Sequence, residues 1–182
     1  MKSLLLFLII SLVSSCSNHS IPEHEKVADR ITALTAKKIE NETGLRLIGT
    51  GGGMMHQVRM MGMSFNYFGE MSIEKGRKLL TYCVDEYLSA INSDEQIKTY
   101  LTHYPFTCKD IEIRIFVYQS DHTDVPIGEL SVVAAYDGCL TYKIRQPGPV
   151  ILKRIYKETY GEALKLLTVH QSDSPQAEAV YN

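Results

Sequence analysis

The sequence is poor in several things that would narrow its function quickly. Its 182 residues carry 19 basic and 21 acidic side chains, a formal net charge of −2. No field of one sign marks it for nucleic acid or another polyanion. It has four cysteines, too few for a disulfide-dense scaffold. Its longest apolar run, Leu4 to Val13, is ten residues, whereas a bilayer-spanning helix needs about 20. The glycine run Gly51-Gly52-Gly53 leads into Met54 with no lysine nearby, so the phosphate-cradling loop of nucleotide-binding proteins is missing. No serine sits in a G-x-S-x-G elbow, and no pair of histidines has the i, i+4 spacing of a helical metal site. No repeat of solenoid period occurs. Apolar residues make up 45% and charged residues 22%, the ordinary balance of one globular domain.

What is present begins at the N-terminus. Lys2, a short apolar stretch and the small residues Ser14 and Ser15 form a secretory signal. Val13-Ser14-Ser15-Cys16 resembles the lipobox of bacterial lipoproteins. The resemblance implies cleavage before Cys16, lipid on that cysteine, and attachment to a membrane of the cell envelope. One acyl chain holds only marginally at about 0.8 kcal/mol per buried methylene; lipoproteins of this class carry more than one. Ser17, rather than Asp, after the lipidated cysteine favours the outer over the inner membrane under the enterobacterial sorting rule. The expected organisation is a removed signal over 1–15, a lipidated tether over 16–21, one domain over 22–170 and a flexible tail over 171–182. From Cys16 onward there are 167 residues with 18 basic and 21 acidic side chains, enough to bury a real core.

Pro22, Glu23 and Glu25 suit a first helical turn, and the spacing of Val27, Ile31, Leu34 and Ile39 predicts a helix over about 23–42, stopped by Gly44. Leu45 to Thr50 reads as a strand broken by the glycines, and His56 to Phe68 as a second. Ser72 caps a helix whose stripe is Ile73, Leu80, Val84, Tyr87, Leu88 and Ile91. Ser93 and Gln96 resemble a capping box for a short helix ended by Pro105. Ile111, Ile113, Ile115 and Val117 alternate with Glu112, Arg114, Phe116 and Tyr118, the clearest strand of the chain. Ile127 to Tyr136 and Cys139 to Arg145 form a hairpin about Asp137-Gly138. After the Pro147-Gly148-Pro149 break, Leu152, Ile155, Tyr156, Tyr160, Leu164 and Leu167 fit a final helix, although Lys153 and Arg154 lie at its start, where the helix dipole disfavours cations. The class is α+β: a two-layer sandwich with an antiparallel sheet of about five strands and helices on one face.

The candidate sites are few. Met61, Met63, Phe65 and Tyr67 share one face of the second strand; with Gly51, Gly52 and Gly53 they form the expected contact region for a ligand or partner, since methionine and aromatic surfaces suit adaptable recognition. Six of the seven methionines fall between Met54 and Met71. Thioethers are soft ligands, so Met54, Met55 and His56 with the Met-rich strand offer an alternative copper(I) site, but alternation divides that strand's sulfurs between its two faces. Asp121, His122 and Asp124 share a turn and could hold a divalent cation weakly. Glu70, Glu74, Asp85 and Glu86 read as caps and exposed helix faces. With Cys16 used by lipid, Cys108 and Cys139 lie at the same end of the expected meander and could bridge only if Cys108 precedes its strand and curls over; Cys83 reads as a buried hydrophobe. Lys143, Arg145, Lys153, Arg154 and Lys157 form a basic cluster. The functional expectation is a non-catalytic, membrane-anchored binding module, partnered by the membrane through Cys16 and by another envelope protein, with no cofactor and no nucleic acid. A metal carrier and an envelope enzyme are the alternatives.

Overall fold

The computed structural model describes residues 21–148 and 151–172. The signal, Cys16 and most of the tail lie outside these residues. The fold is α+β, a mixed sheet of six strands with four helices. Helix α1 spans Glu23–Thr43, with Glu23 and Glu25 in its first turn, and ends where Gly44 turns left-handed (φ 73°) and donates its N–H to the Glu40 carbonyl. Strands β1 (Arg46–Gly53) and β2 (Met60–Phe68) follow, then α2 (Ile73–Ser93), capped by the Ser72 side chain, and the short α3 (Glu95–Lys98). Strands β3 (Ile111–Tyr118), β4 (Leu130–Tyr136), β5 (Cys139–Arg145) and β6 (Leu152–Thr159) complete the sheet, and α4 (Tyr160–Ser172) ends the described chain.

The strands lie in sequence order, and all neighbours are antiparallel except β2 and β3. The expected all-antiparallel sheet is corrected at that pair. A parallel pair needs a crossover long enough to return the chain to the same end, and a helix usually supplies it; α2 and α3 do so here. The expected final helix is corrected as well. Leu152 to Thr159 is an edge strand paired with β5, and helix begins only at Tyr160. A register shift beside Ile155 disturbs the two-residue alternation, and most of β6 is exposed on both faces, so it shows no period of its own. Lys153 and Arg154 no longer conflict with a helix dipole; charge on an edge strand discourages pairing with other chains. The expected break at the glycine run is corrected too: β1 continues through Gly53, with Gly51 opposite Gly62 and Gly53 opposite Met60.

The core lies between one face of the sheet and the helices. Met61, Met63 and Phe65 of β2, Ile111, Ile113 and Ile115 of β3, Val133 and Ala135 of β4, and Leu140 and Tyr142 of β5 meet Leu80, Val84, Tyr87 and Ile91 of α2, with Ile31 and Ile39 of α1. A charged polar network is buried in this layer. The single Nε–H of Arg77 in α2 makes a bifurcated hydrogen bond to the two carboxylate oxygens of Glu158 in β6, at 2.9 and 3.1 Å, and the Tyr142 phenol donates to the same carboxylate at 2.5 Å. Burial disfavours the Arg77 cation, but the hydrogen bonds and charge of Glu158 outweigh it and hold the pKa above its ordinary value. Burial, then the bond to Glu158, push the Tyr142 phenol up. The network ties the outermost strand to the central helix.

Candidate functional site: the open face of the sheet

The alternation that buries odd-numbered residues of β2 and β3 presents the even-numbered ones on the opposite face, which no helix among the described residues covers. Met60, Ser64, Asn66 and Phe68 of β2 and Glu112, Arg114, Phe116 and Tyr118 of β3 are half-buried or exposed there. Beside them lie Val132, Ala134 and Tyr136 of β4, and Cys139, Thr141 and Lys143 of β5. Lys157 opposite Thr141 and Arg154 opposite Lys143 carry the face onto β6.

This face has two chemically different ends. Toward the β4–β5 turn is a concavity of about 530 Å³, where the cations Arg114, Lys143, Arg154 and Lys157 and the acids Glu112 and Asp137 share the lining with Met60 and Tyr136. Arg114 is paired with Glu112. Among the described residues no acid pairs with Lys143, Arg154 or Lys157. Lys143 and Arg154 are direct cross-strand neighbours, and like charges so placed are destabilising. Toward the other end the face is aromatic and aliphatic. The Phe68 ring lies 5.9 Å from Tyr118 and stacks on His122 at 4.2 Å, and Ile151 and Leu152 stand exposed beside Phe116 and Val132.

Several expected sites change character. Met61, Met63 and Phe65 are not a contact surface: they are 0%, 2% and 0% exposed under the helices, and Tyr67 is half-buried against the same cluster with Lys75 over its ring. Alternation was read correctly, but the helices pack on the Met–aromatic side. Of the expected contact region only Gly51 and Gly52 are exposed, and Gly53, like Tyr67, is half-buried. The methionine sulfurs are dispersed. Met60 faces the open side, Met61 and Met63 the core, Met54 packs half-buried at the margin, and Met55 is 81% exposed. His56 is exposed.

In the Asp121–Asp124 turn each group has a structural task. Asp121 accepts from the Thr123 N–H and hydroxyl, which hold its carboxyl below the usual range; His122 stacks on Phe68; Asp124 pairs with Arg145 at 2.7 Å. Among the described residues, no three His, Cys, Asp or Glu side chains are grouped to hold a metal ion. Cys108 precedes β3 and curls toward the β4–β5 turn, its carbonyl accepting the Gly138 N–H at 3.2 Å. Yet Cys108 and Cys139 are separate thiols: Cys108 packs against the core cluster and Cys139 lines the open face. Cys83 is fully buried, and burial pushes its thiol up to about 12. Glu74 pairs with Lys78, Glu86 with Lys38, and Asp85 accepts from the Tyr160 phenol, as helix-face acids do.

The expected basic cluster is divided by the fold. Lys143, Arg154 and Lys157 converge on the open face, Arg145 is held by Asp124, and Lys153, opposite Ile144, falls on the other side of the strand. Sequence reasoning passed over Met60, Arg114 and Tyr136 as site residues, although the even positions of the 111–118 alternation already marked a second sheet face. No protein-family model matches the chain, and no curated protein or solved structure matches it. No helix among the described residues is long and apolar enough to cross a membrane.

Proposed function

We propose that the protein is a bacterial envelope lipoprotein, anchored through Cys16, whose folded domain is a non-catalytic binding module. The docking surface is the open face of the sheet, and the occupant is an acidic segment of another envelope protein. The observation that carries this reading is the trio Lys143, Arg154 and Lys157, without an ion pair among the described residues and in excess over Asp137, the one acid of the concavity not already paired with Arg114, on a sheet face that no described helix covers. Two of these cations oppose each other across a strand pair and cost stability, and an incoming carboxylate removes that cost. The same face offers Met60, Tyr136, Phe116 and Tyr118, residue types enriched at protein interfaces. A concave face also meets a projecting segment better than a flat bilayer.

Binding of a fluorescent glutamate-rich peptide to the full chain in detergent tests the docking face. Saturable binding that weakens with salt and is abolished by Lys143→Glu with Arg154→Glu and Lys157→Glu supports it. Equal loss on reversing the exposed Lys26 and Lys37 of α1 refutes it. The anchor is tested separately with Cys16→Ser: release from the membrane fraction is expected, and continued detergent-dependent association sinks the lipid assignment.

A further inference from the structure

The two edges of the sheet are built to opposite rules. Edge strand β6 carries Lys153, Arg154 and Lys157, the charges that keep an edge from pairing with another chain. Edge strand β1 reads Arg-Leu-Ile-Gly-Thr-Gly-Gly-Gly and has no charge from Leu47 to Gly53. It is nevertheless open: Ile48 is 52% exposed, and Thr50, Gly51 and Gly52 are exposed as well.

Gly51 has no packing reason inside the monomer, whereas Gly49 closes the register shift that follows Leu47. Neither Gly49 nor Gly51 adopts a left-handed backbone, and a Cβ at either would meet nothing within 4 Å among the described residues. Gly52 differs, because a Cβ there would lie 2.5 Å from the Met60 carbonyl. A glycine within a strand weakens it by roughly 0.5–1 kcal/mol. Close approach of a second backbone is a use for glycines that internal packing does not require.

The charges flanking this edge say which backbone. Arg46 stands at the start of β1, and Glu25 and Asp29 of α1 border the groove of about 350 Å³ alongside Thr50–Gly52 and Met55 at its other end. None of the three makes an ion pair among the described residues. When two copies of β1 pair antiparallel about Gly49 and Thr50, Arg46 of each copy arrives at the Gly53 end of the other, next to its acids. The pattern is self-complementary, as a two-fold interface requires.

We propose that the β1 edge is a homodimer interface, in which a second copy of this chain adds its β1 antiparallel and joins the two sheets into one. The pairing is independent of the open-face reading and leaves that face free on both copies.

Sedimentation equilibrium of the full chain in density-matched detergent tests it. The expected mass is twice that of a single chain, as mass spectrometry gives it for the same preparation. Gly51→Lys, which places a gatekeeper charge in open space, is expected to halve that mass while leaving the far-ultraviolet circular dichroism spectrum unchanged. Arg46→Glu is expected to give monomer, and Arg46→Glu combined with Glu25→Lys and Asp29→Lys to restore the dimer. A wild-type chain that is monomeric at all concentrations, or a dimer that Gly51→Lys leaves intact, overturns the proposal. Because Gly51→Lys is read together with its circular dichroism spectrum, misfolding cannot pass for dissociation.

Discussion

Replacing Glu158 by alanine is the sharpest test of how the sheet is held together. Glu158 is 4% exposed and Arg77 is 6% exposed, and their side chains meet at 2.9 Å. Removing the carboxylate strands a buried guanidinium, which cannot deprotonate, and takes the acceptor from the Tyr142 phenol. Breaking one partner of a buried pair costs about 3–5 kcal/mol. Against the usual domain stability of about 5–15 kcal/mol, that brings a weakly stable domain close to unfolding. Replacing the pair and its phenol together by apolar groups (Arg77→Met, Glu158→Leu, Tyr142→Phe) leaves no uncompensated charge, so stability should return to within about 1 kcal/mol of wild type. The measurement is urea unfolding followed by far-ultraviolet circular dichroism, with a double-mutant cycle over Arg77 and Glu158. A coupling energy below about 0.5 kcal/mol is what an exposed surface pair gives, and would refute the buried network. Hydrogen exchange along β6 should accelerate in Glu158→Ala before it does in β3, because the network is the side-chain tie between that edge strand and α2.

Three further outcomes follow from other parts of the fold. Asp94 accepts from the Gln96 and Ile97 N–H groups and pairs with Arg30; although burial works against it, these partners hold its carboxyl below the usual range. A depressed folded-state pKa contributes stability that is present above the unfolded value near 3.9 and lost as pH falls through the folded one. Asp94→Ala should therefore destabilise by about 0.5–2 kcal/mol at pH 7 in thermal unfolding, with the gap from wild type closing below about pH 3; a gap independent of pH would contradict the capping role. A thiol reagent at pH 8 should modify Cys108 and Cys139 in the native protein and Cys83 only on unfolding, since a pKa of about 12 leaves roughly one Cys83 thiolate in 10⁴; mass spectrometry after partial labelling reads this directly. Met61→Leu should change stability by less than about 1.5 kcal/mol with copper(I) affinity unchanged, while Met61→Lys should abolish folding; a Met61→Lys chain with native circular dichroism would put that face outside the core.

Much of the layout was legible because local physics decided it. Ile111 to Tyr118 alternates cleanly because one face is buried and the other is not, and Gly44 and Ser72 mark helix ends through backbone conformation and capping. The misreadings arose where tertiary context overrode a local signal. Leu152, Ile155 and Tyr156 match helical spacing, but the register shift beside Ile155 gives a bulged strand an accidental helical period. Lys153 and Arg154 already spoke against a helix start. The short helix is capped by Asp94, one residue beyond the expected Ser93. The parallel β2–β3 pair depends on which way the α2–α3 crossover returns, and no residue within the strands encodes it. Arg77 and Glu158 are 81 positions apart, although Arg77 stands in the stripe between Ile73 and Leu80, where a buried cation demands a partner. For the site, alternation separated the two faces of β2, but only the packing of α1 and α2 decides which face is bare.

The open sheet face as docking surface is tested most directly by photo-cross-linking in cells from single positions on the two layers. A photoreactive side chain at Thr141, on the open face, should capture one envelope protein. The adduct should disappear with Lys143→Glu and Arg154→Glu, and Leu34, exposed on α1, should capture nothing. Capture from Leu34 and none from Thr141, or an adduct at Thr141 indifferent to charge reversal, would contradict the assignment.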